Sequence, residues 1–324
     1  MIRRHSYGKR STGFFVARVL QTLSMNTALK HLAENLLVTS GVGRVMLRTG
    51  RDRTLVLAYH NILPDGESRG GNSNLHLPQP EFARQLDALA VAHDVVPIDD
   101  LLAGPRRKGR PRVVITFDDA YAGCLTAGVH ELERRGMPAC IFVAPALLGA
   151  IPWWDTLADP GTGSVPEHIQ QNALIALRGE QEKIVSSQSQ RRAHAAVSVK
   201  LPRIGSESQL VSAASVAGIT LGSHAWSHPN LCRLTKEEVE LELRRPLEWL
   251  HARFKSVAPW LTYPYGLFDR SVETAVERAG YQGAFRIDGG WMRGGDRTRQ
   301  YALPRFNVPF GLSINGFKLR LAGF

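Results

Sequence analysis

Cysteine is scarce in this sequence and unpaired: Cys124, Cys140 and Cys232 are the only three, and no two share a paired spacing. An odd number argues against a disulfide framework and leaves reduced, buried thiols as the expectation. Long apolar runs are missing too. No uncharged stretch approaches the length needed to span a bilayer, which excludes a transmembrane helix. The first ten residues, MIRRHSYGKR, are basic like the start of a signal peptide, but Arg18 cuts the apolar segment that follows and no small-x-small cleavage site comes soon after, so a cytoplasmic protein is expected. No internal repeat is visible. Acidic residues are outnumbered, 29 against 40 Lys and Arg, for a net charge of +11. The charge and the basic run RRKGRPR at 106–112 raise the question of nucleic acid. No helix-turn-helix, zinc finger or aromatic ribonucleoprotein signature accompanies them, so no nucleic-acid partner is expected.

What is present describes an ordinary globular chain of 324 residues, 44% hydrophobic and 21% charged, large enough for one big domain or a barrel with an insertion. Much of the excess charge sits at the start. Residues 1–50 hold Arg3, Arg4, Lys9, Arg10, Arg18, Lys30, Arg44 and Arg48 against Glu34 alone, eight minus one, or +7. This basic helical arm has apolar residues between its charges. It can pack on the domain as a helix or make peripheral contact with an anionic surface, which for a cytoplasmic protein is the inner membrane face.

From residue 51 onward the pattern alternates. TLVLAYHN (54–61) reads as a buried strand, and PEFARQLDALAVAH (80–93) as a helix with Phe82, Leu86, Leu89 and His93 on one side. Then come a short strand at DVVPI, a short helix at DDLLAG and the strand RVVITF, followed by the helix AGVHELERRG and the strand PACIFVAP. After residue 217 the strands GITLGSH, APWLTYPYG, YQGAFRI and YALPRFNV flank the helices TKEEVELELRRPLEWLHARF and SVETAVERAG, the first opened by Thr235 with Glu238 in capping-box spacing. Strand and helix in this rhythm mean parallel pairing. About seven parallel strands predict an α/β fold: a distorted or incomplete (β/α) barrel over residues 51–324, with chemistry at the strand C-termini. Residues 151–217 break the rhythm and read as a helical insertion over that face.

Within ITFDDAY (115–121) two carboxylates stand side by side where an apolar strand stops. Neighbouring side chains on a strand face opposite ways, so Asp118 and Asp119 share a site only if the chain is already turning. The plain alternative is a helix cap beside a solvated acid. A second strand end carries SHAWSHP, whose His224 and His228, at i and i+4 on a helical turn, can bind one metal ion. With one aspartate of the pair they make a two-histidine, one-carboxylate site with open positions.

TFDDAY, SHAWSHPNL and TYPYG, in this order and each at a strand end, resemble the motifs of the polysaccharide deacetylase family, metal-dependent carbohydrate esterases, and the resemblance runs from about LAYHNI to LPRFNV. It implies that Asp118 is the general base, that Asp119, His224 and His228 hold a divalent metal ion, zinc by expectation, and that Tyr265 offers its backbone N–H to an oxyanion. The implied activity is hydrolytic removal of N-acetyl groups from amino sugars of an oligo- or polysaccharide. Two positions depart from the family. Where an arginine often steadies the catalytic aspartate, WLTYPYG has Leu261 and Thr262; where a late histidine often protonates the leaving amine, LPRF has Phe306. Arg305 at the end of the last strand can replace the arginine, and His60 at the end of the first can replace the acid. Each also has a plain reading, as a structural ion pair and a core histidine. Trp153 and Trp154 in PWWD can stack on sugar rings or bridge the insertion to the core. A deacylase of another amide or O-acyl ester, and a non-catalytic carbohydrate-binding barrel, are the alternatives.

Overall fold

The computed structural model describes residues 27–40, 52–67, 70–104, 109–187, 200–293 and 295–323. Much of the basic N-terminal arm and of RRKGRPR lies outside them.

The first barrel strand, β1 (Arg53–Tyr59), is buried at every residue but its first. A strand apolar on both faces needs cover on both, which a parallel sheet wrapped by helices provides. β1 pairs in parallel with β5 (Arg112–Phe117) from Thr54↔Arg112 to Tyr59↔Phe117. The sheet continues through β6 (Ala139–Val143), β7 (Ile219–Ser223), β8 (Val257–Thr262) and β9 (Gly283–Phe285), all parallel. These strands fall where the hydrophobic runs predict them. β4 (Asp94–Val95) pairs with the start of β5, and β10 (Met292–Arg293) runs antiparallel to the start of β1. A small parallel pair, β2 (Asn61–Leu63) and β3 (His76–Pro78), stands apart from the main sheet.

The sheet curls into a barrel whose seam is the 303–307 segment. Leu303 bridges to Phe285 on one side, and β11 (Phe306–Asn307) pairs with Leu57 and Ala58 of β1 on the other. The sequence predicts a longer last strand over 301–308; only two residues pair, because the chain must cross from one edge of the sheet to the other. Side chains of Val56, Val114, Cys140, Phe142, Trp260 and Phe285 fill the interior.

Helices cover the outside for local reasons. Lys236–Arg253 begins at a complete capping box, Thr235 with Glu238, as the spacing predicts. Gln79–Ala92 has proline in its first turn and buries Phe82, Leu86 and Leu89. The helix expected from AGVHELERRG opens instead with a π turn, Cys124–Gly128, before Val129–Glu133. Its entry is pressed onto β2: a Cβ at Gly123 would meet the Ile62 carbonyl oxygen at 2.2 Å, so only glycine fits. The insertion forms the helices Trp153–Thr156, Glu167–Ile175, Gln181–Ser187 and Glu207–Ala214. All three cysteines are free, two buried and Cys232 half-buried.

The chain divides into two compact units, Arg51–Gly311, which holds the barrel and insertion, and Met1–Gly50 with Leu312–Phe324. In the second unit the helices Thr27–Thr39 and Ile314–Ala322 pack together, and Ser313 Oγ donates to the buried Glu34 carboxylate at 2.5 Å. Among the described residues no helix is long and apolar enough to cross a membrane.

Candidate active site

At the C-terminal end of β5 the backbone leaves the extended region at once: Asp119 has φ 68° and Ala120 has φ 55°. Non-glycine residues take left-handed conformations at a cost of roughly 1 kcal/mol or more, so this turn is held by its surroundings. It swings two adjacent carboxylates into one buried locus, with Asp118 2% and Asp119 3% exposed. The same device recurs at Ala225 (φ 60°), His228 (φ 59°) and Tyr265 (φ 58°), beyond the ends of β7 and β8. His224 and His228 are therefore not on a helical turn, as their spacing suggests. They converge through a loop with two left-handed residues, pinned by Glu242, which accepts from the backbone N–H groups of Trp226 and Ser227 and from Ser227 Oγ at 2.7–2.9 Å.

The two aspartates have different partners. Arg305, 1% exposed, donates to both oxygens of Asp118, Nη1 to Oδ1 at 2.8 Å and Nη2 to Oδ2 at 2.6 Å. It also donates to Thr116 Oγ1 and the Arg286 carbonyl. Burial alone would raise the pKa of Asp118. The charge and hydrogen bonds of Arg305, with the charge of His224, overcome that and hold it well below the usual carboxylate range.

Asp119 faces His224 and His228, its Oδ1 lying 3.5 and 3.4 Å from their Nε2 atoms. That Oδ1 is buried and lacks a hydrogen-bond partner. Burial, then the charges of Asp118 and Asp155, push its pKa up. His224 Nδ1 meets the Thr262 carbonyl at 2.8 Å; a carbonyl can only accept, so Nδ1 carries the proton and Nε2 presents its lone pair. The two Nε2 atoms are 3.0 Å apart, and burial lowers the pKa of both rings. Among the described residues, Asp119, His224 and His228 can offer one ligand atom each within 4.8 Å of one another. An orphaned carboxylate oxygen beside two neutral imidazoles, one with its lone pair fixed toward the cluster, fits a divalent cation.

The two departures have structural counterparts. Thr262, where the family often has arginine, gives both its carbonyl and its hydroxyl to His224 Nδ1. Phe306 pairs with β1 as part of the seam. His60 follows β1 and is half-buried, close enough for the charges of Asp118, Arg305 and His224 to act on it. Burial lowers its pKa to about 4 despite the opposing charge of Asp118. Tyr265, with its left-handed backbone, stacks edge-on against His228, ring centroids 4.4 Å apart.

Trp153 and Trp154 are buried, 1% and 6% exposed, so they bridge the insertion to the core and have no free face for a sugar. Trp153 Nε1 donates to Tyr265 Oη at 2.9 Å, and Trp154 Nε1 donates to Tyr121 Oη at 2.7 Å. Tyr121 in turn donates to Asp155 Oδ2 at 2.6 Å. Tyr121 and Asp155 were not singled out by sequence, although they stand inside TFDDAY and PWWD.

Comparison with known proteins bears on this arrangement. Residues 178–284 match the family model described as polysaccharide deacetylase. The fold matches IcaB from Ammonifex degensii (TM-score 0.58, 20% identity, 84% of this chain and 98% of that one). It also matches a de-N-acetylase from Aggregatibacter actinomycetemcomitans (0.58, 16%, 83% and 100%) and the Streptococcus pyogenes deacetylase PplD (0.57, 14%, 82% and 96%). It has the polysaccharide deacetylase fold. At these identities the structural likeness is one of fold, and the deacetylase match in sequence covers the segment that brings His224, His228 and Tyr265. No curated protein matches.

Proposed function

We propose that this chain is a metal-dependent hydrolase that removes N-acetyl groups from amino sugars of a polysaccharide or oligosaccharide. The observation that carries the reading is the division between adjacent acids: Asp118 is gripped at both oxygens by Arg305, while Asp119 keeps a buried, unpartnered oxygen against two imidazoles. One acid is kept ionised and oriented; the other is kept available as a ligand. The family match over residues 178–284 supports the substrate class.

Two imidazoles and one carboxylate suit zinc, with a position left open. A divalent ion there would supply Lewis acidity to an acyl carbonyl and to water. Asp118, kept anionic at neutral pH, takes the proton from the attacking water. The backbone N–H of Tyr265 donates to the developing oxyanion, on a turn whose strained geometry is set before substrate arrives. His60 starts neutral at pH 7, given a pKa of about 4, and relays to the departing amine the proton that Asp118 has taken from the attacking water, rather than supplying a resident one, which returns Asp118 to its anionic form. Arg305 positions Asp118.

The deciding assay is acetate release from N-acetylglucosamine oligomers by the zinc-loaded protein. Release that stops on chelation and returns with zinc is expected. Release only from O-acetyl esters would move the substrate class, and tight glycan binding without release would make this a non-catalytic barrel.

The +7 charge of residues 1–50, and the exposure of Leu32 (56%) and Leu36 (62%) one turn apart, support contact of this arm with the inner membrane surface of a cytoplasmic enzyme. Co-sedimentation of the full chain with anionic but not neutral vesicles tests it.

A further inference from the structure

Metal-binding histidines are ordinarily oriented by a hydrogen bond from the ring nitrogen that does not face the metal. His224 has one, to the Thr262 carbonyl. His228 does not: its Nδ1 is buried and finds no partner beyond its own backbone. Something else must fix a ring on a residue whose backbone is already left-handed.

Two aromatic rings enclose it. Trp154 lies 4.8 Å from the His228 ring, tilted 45°, and Tyr265 lies 4.4 Å away at 78°. Neither ring is loose, because the insertion hangs both by polar atoms. Trp153 Nε1 donates to Tyr265 Oη, and Tyr265 donates on to the Gly179 carbonyl at 3.2 Å. Trp154 Nε1 donates to Tyr121 Oη, and Tyr121 donates to Asp155. Asp155 is 1% exposed and anchored twice from one further segment, by the Asn72 backbone N–H at 2.8 Å and His76 Nε2 at 2.9 Å. Even Gly71 is shaped by it, since a Cβ there would come within 2.5 Å of Asp155 Oδ1. A buried carboxylate with three donors holds its geometry strongly, and the donors come from two separate parts of the chain, residues 72–76 and Tyr121.

We infer that the insertion positions His228 for metal binding by packing in place of the missing hydrogen bond, Trp153 by holding Tyr265, and Asp155 by holding Trp154 through Tyr121. The insertion then does more than roof the barrel: the second histidine is a competent ligand only while PWWD is docked. This rests on the reading of Asp119, His224 and His228 as the metal site.

The test is titration of the apoprotein with Zn²⁺ by calorimetry, beside kcat and KM on an N-acetylated oligosaccharide. Tyr121→Phe keeps the ring and removes both hydrogen bonds of its hydroxyl; Asp155→Asn removes the charge. Both should weaken Zn²⁺ binding about tenfold or more, the usual consequence of losing an orienting partner, and lower kcat at sub-saturating zinc with KM nearly unchanged. Ile184→Ala, in the buried face of the helix Gln181–Ser187, is the control. It should lower the melting temperature and leave the Zn²⁺ affinity alone. If Tyr121→Phe and Asp155→Asn bind Zn²⁺ within twofold of wild type, or lose no more affinity than Ile184→Ala, the inference is overturned. Should wild type itself fail to bind Zn²⁺, the metal-site reading falls and takes this inference with it, whereas wild-type binding without acetate release leaves the positioning decided by the calorimetry alone.

Discussion

Arg305 and Asp118 are joined by two parallel hydrogen bonds of 2.8 and 2.6 Å, across 187 residues of chain. Both side chains are almost fully buried, so each is the other's principal compensation for leaving water. The plain reading of Arg305, a structural ion pair, and its functional reading describe one contact, and they part only in what mutation does to turnover.

Arg305→Ala should leave a buried, uncompensated carboxylate. Destabilisation on the order of 3 kcal/mol is expected in urea unfolding, with kcat lowered about 10²-fold as Asp118 loses orientation and anionic character. Arg305→Lys should recover little of either, because a point charge cannot reproduce the two-pronged contact. Full activity in Arg305→Lys would show that charge alone matters.

Asp118→Asn should abolish turnover while zinc content, measured by atomic absorption, stays near wild type. Asp119→Ala and His224→Ala should lose zinc and activity together. Equal zinc loss in all three would mean the adjacent acids do not divide their duties as proposed.

His60→Ala should slow amide hydrolysis roughly 10²-fold and spare activated aryl esters, whose leaving groups need no proton. A parallel fall on both substrate types would make His60 a packing residue.

His60 also predicts a pH effect on stability. Its folded pKa of about 4 lies below the unfolded value, so between about pH 6.5 and 4 the unfolded chain binds the extra proton. Stability is complete above the unfolded pKa and is lost as pH falls toward the folded one. Going from pH 7 to pH 5 should cost zinc-free wild type on the order of 2 kcal/mol more than His60→Ala, read from urea denaturation at the two pH values. Identical pH dependence in the two proteins would place the ring in water.

The strands were legible because each is a short apolar run ending in polar residues, and the sheet they form, β1 to β9, has the parallel order that the strand–helix rhythm implies. The locations of Asp118, Asp119, His224, His228 and Tyr265 followed from their places at strand ends. The geometry that unites them did not. Spacing of four suggests a helical turn for the histidines, yet the loop is set by Glu242, fourteen residues past His228, and by left-handed backbone that no residue type in HAWSH announces. Asp155 escaped notice for a like reason: its donors are Asn72, His76 and Tyr121, and such meetings are properties of the folded chain. The Trp pair could be read either way until burial decided it.

The seam of the barrel has a consequence for synthesis. Arg305 sits between Leu303, which meets β9, and Phe306, which meets β1, so it arrives with the segment that joins the last strand to the first. A nascent chain folds from its N-terminus as it emerges. From residue 118 until residue 305 is made it carries Asp118, joined later by both histidines and then Tyr265, without the guanidinium that makes the buried Asp118 tolerable. Translation order thus acts as a timer: the active centre cannot settle until nearly the whole barrel has left the ribosome, and a chain truncated before residue 305 should be cleared as misfolded, not kept as a sluggish enzyme.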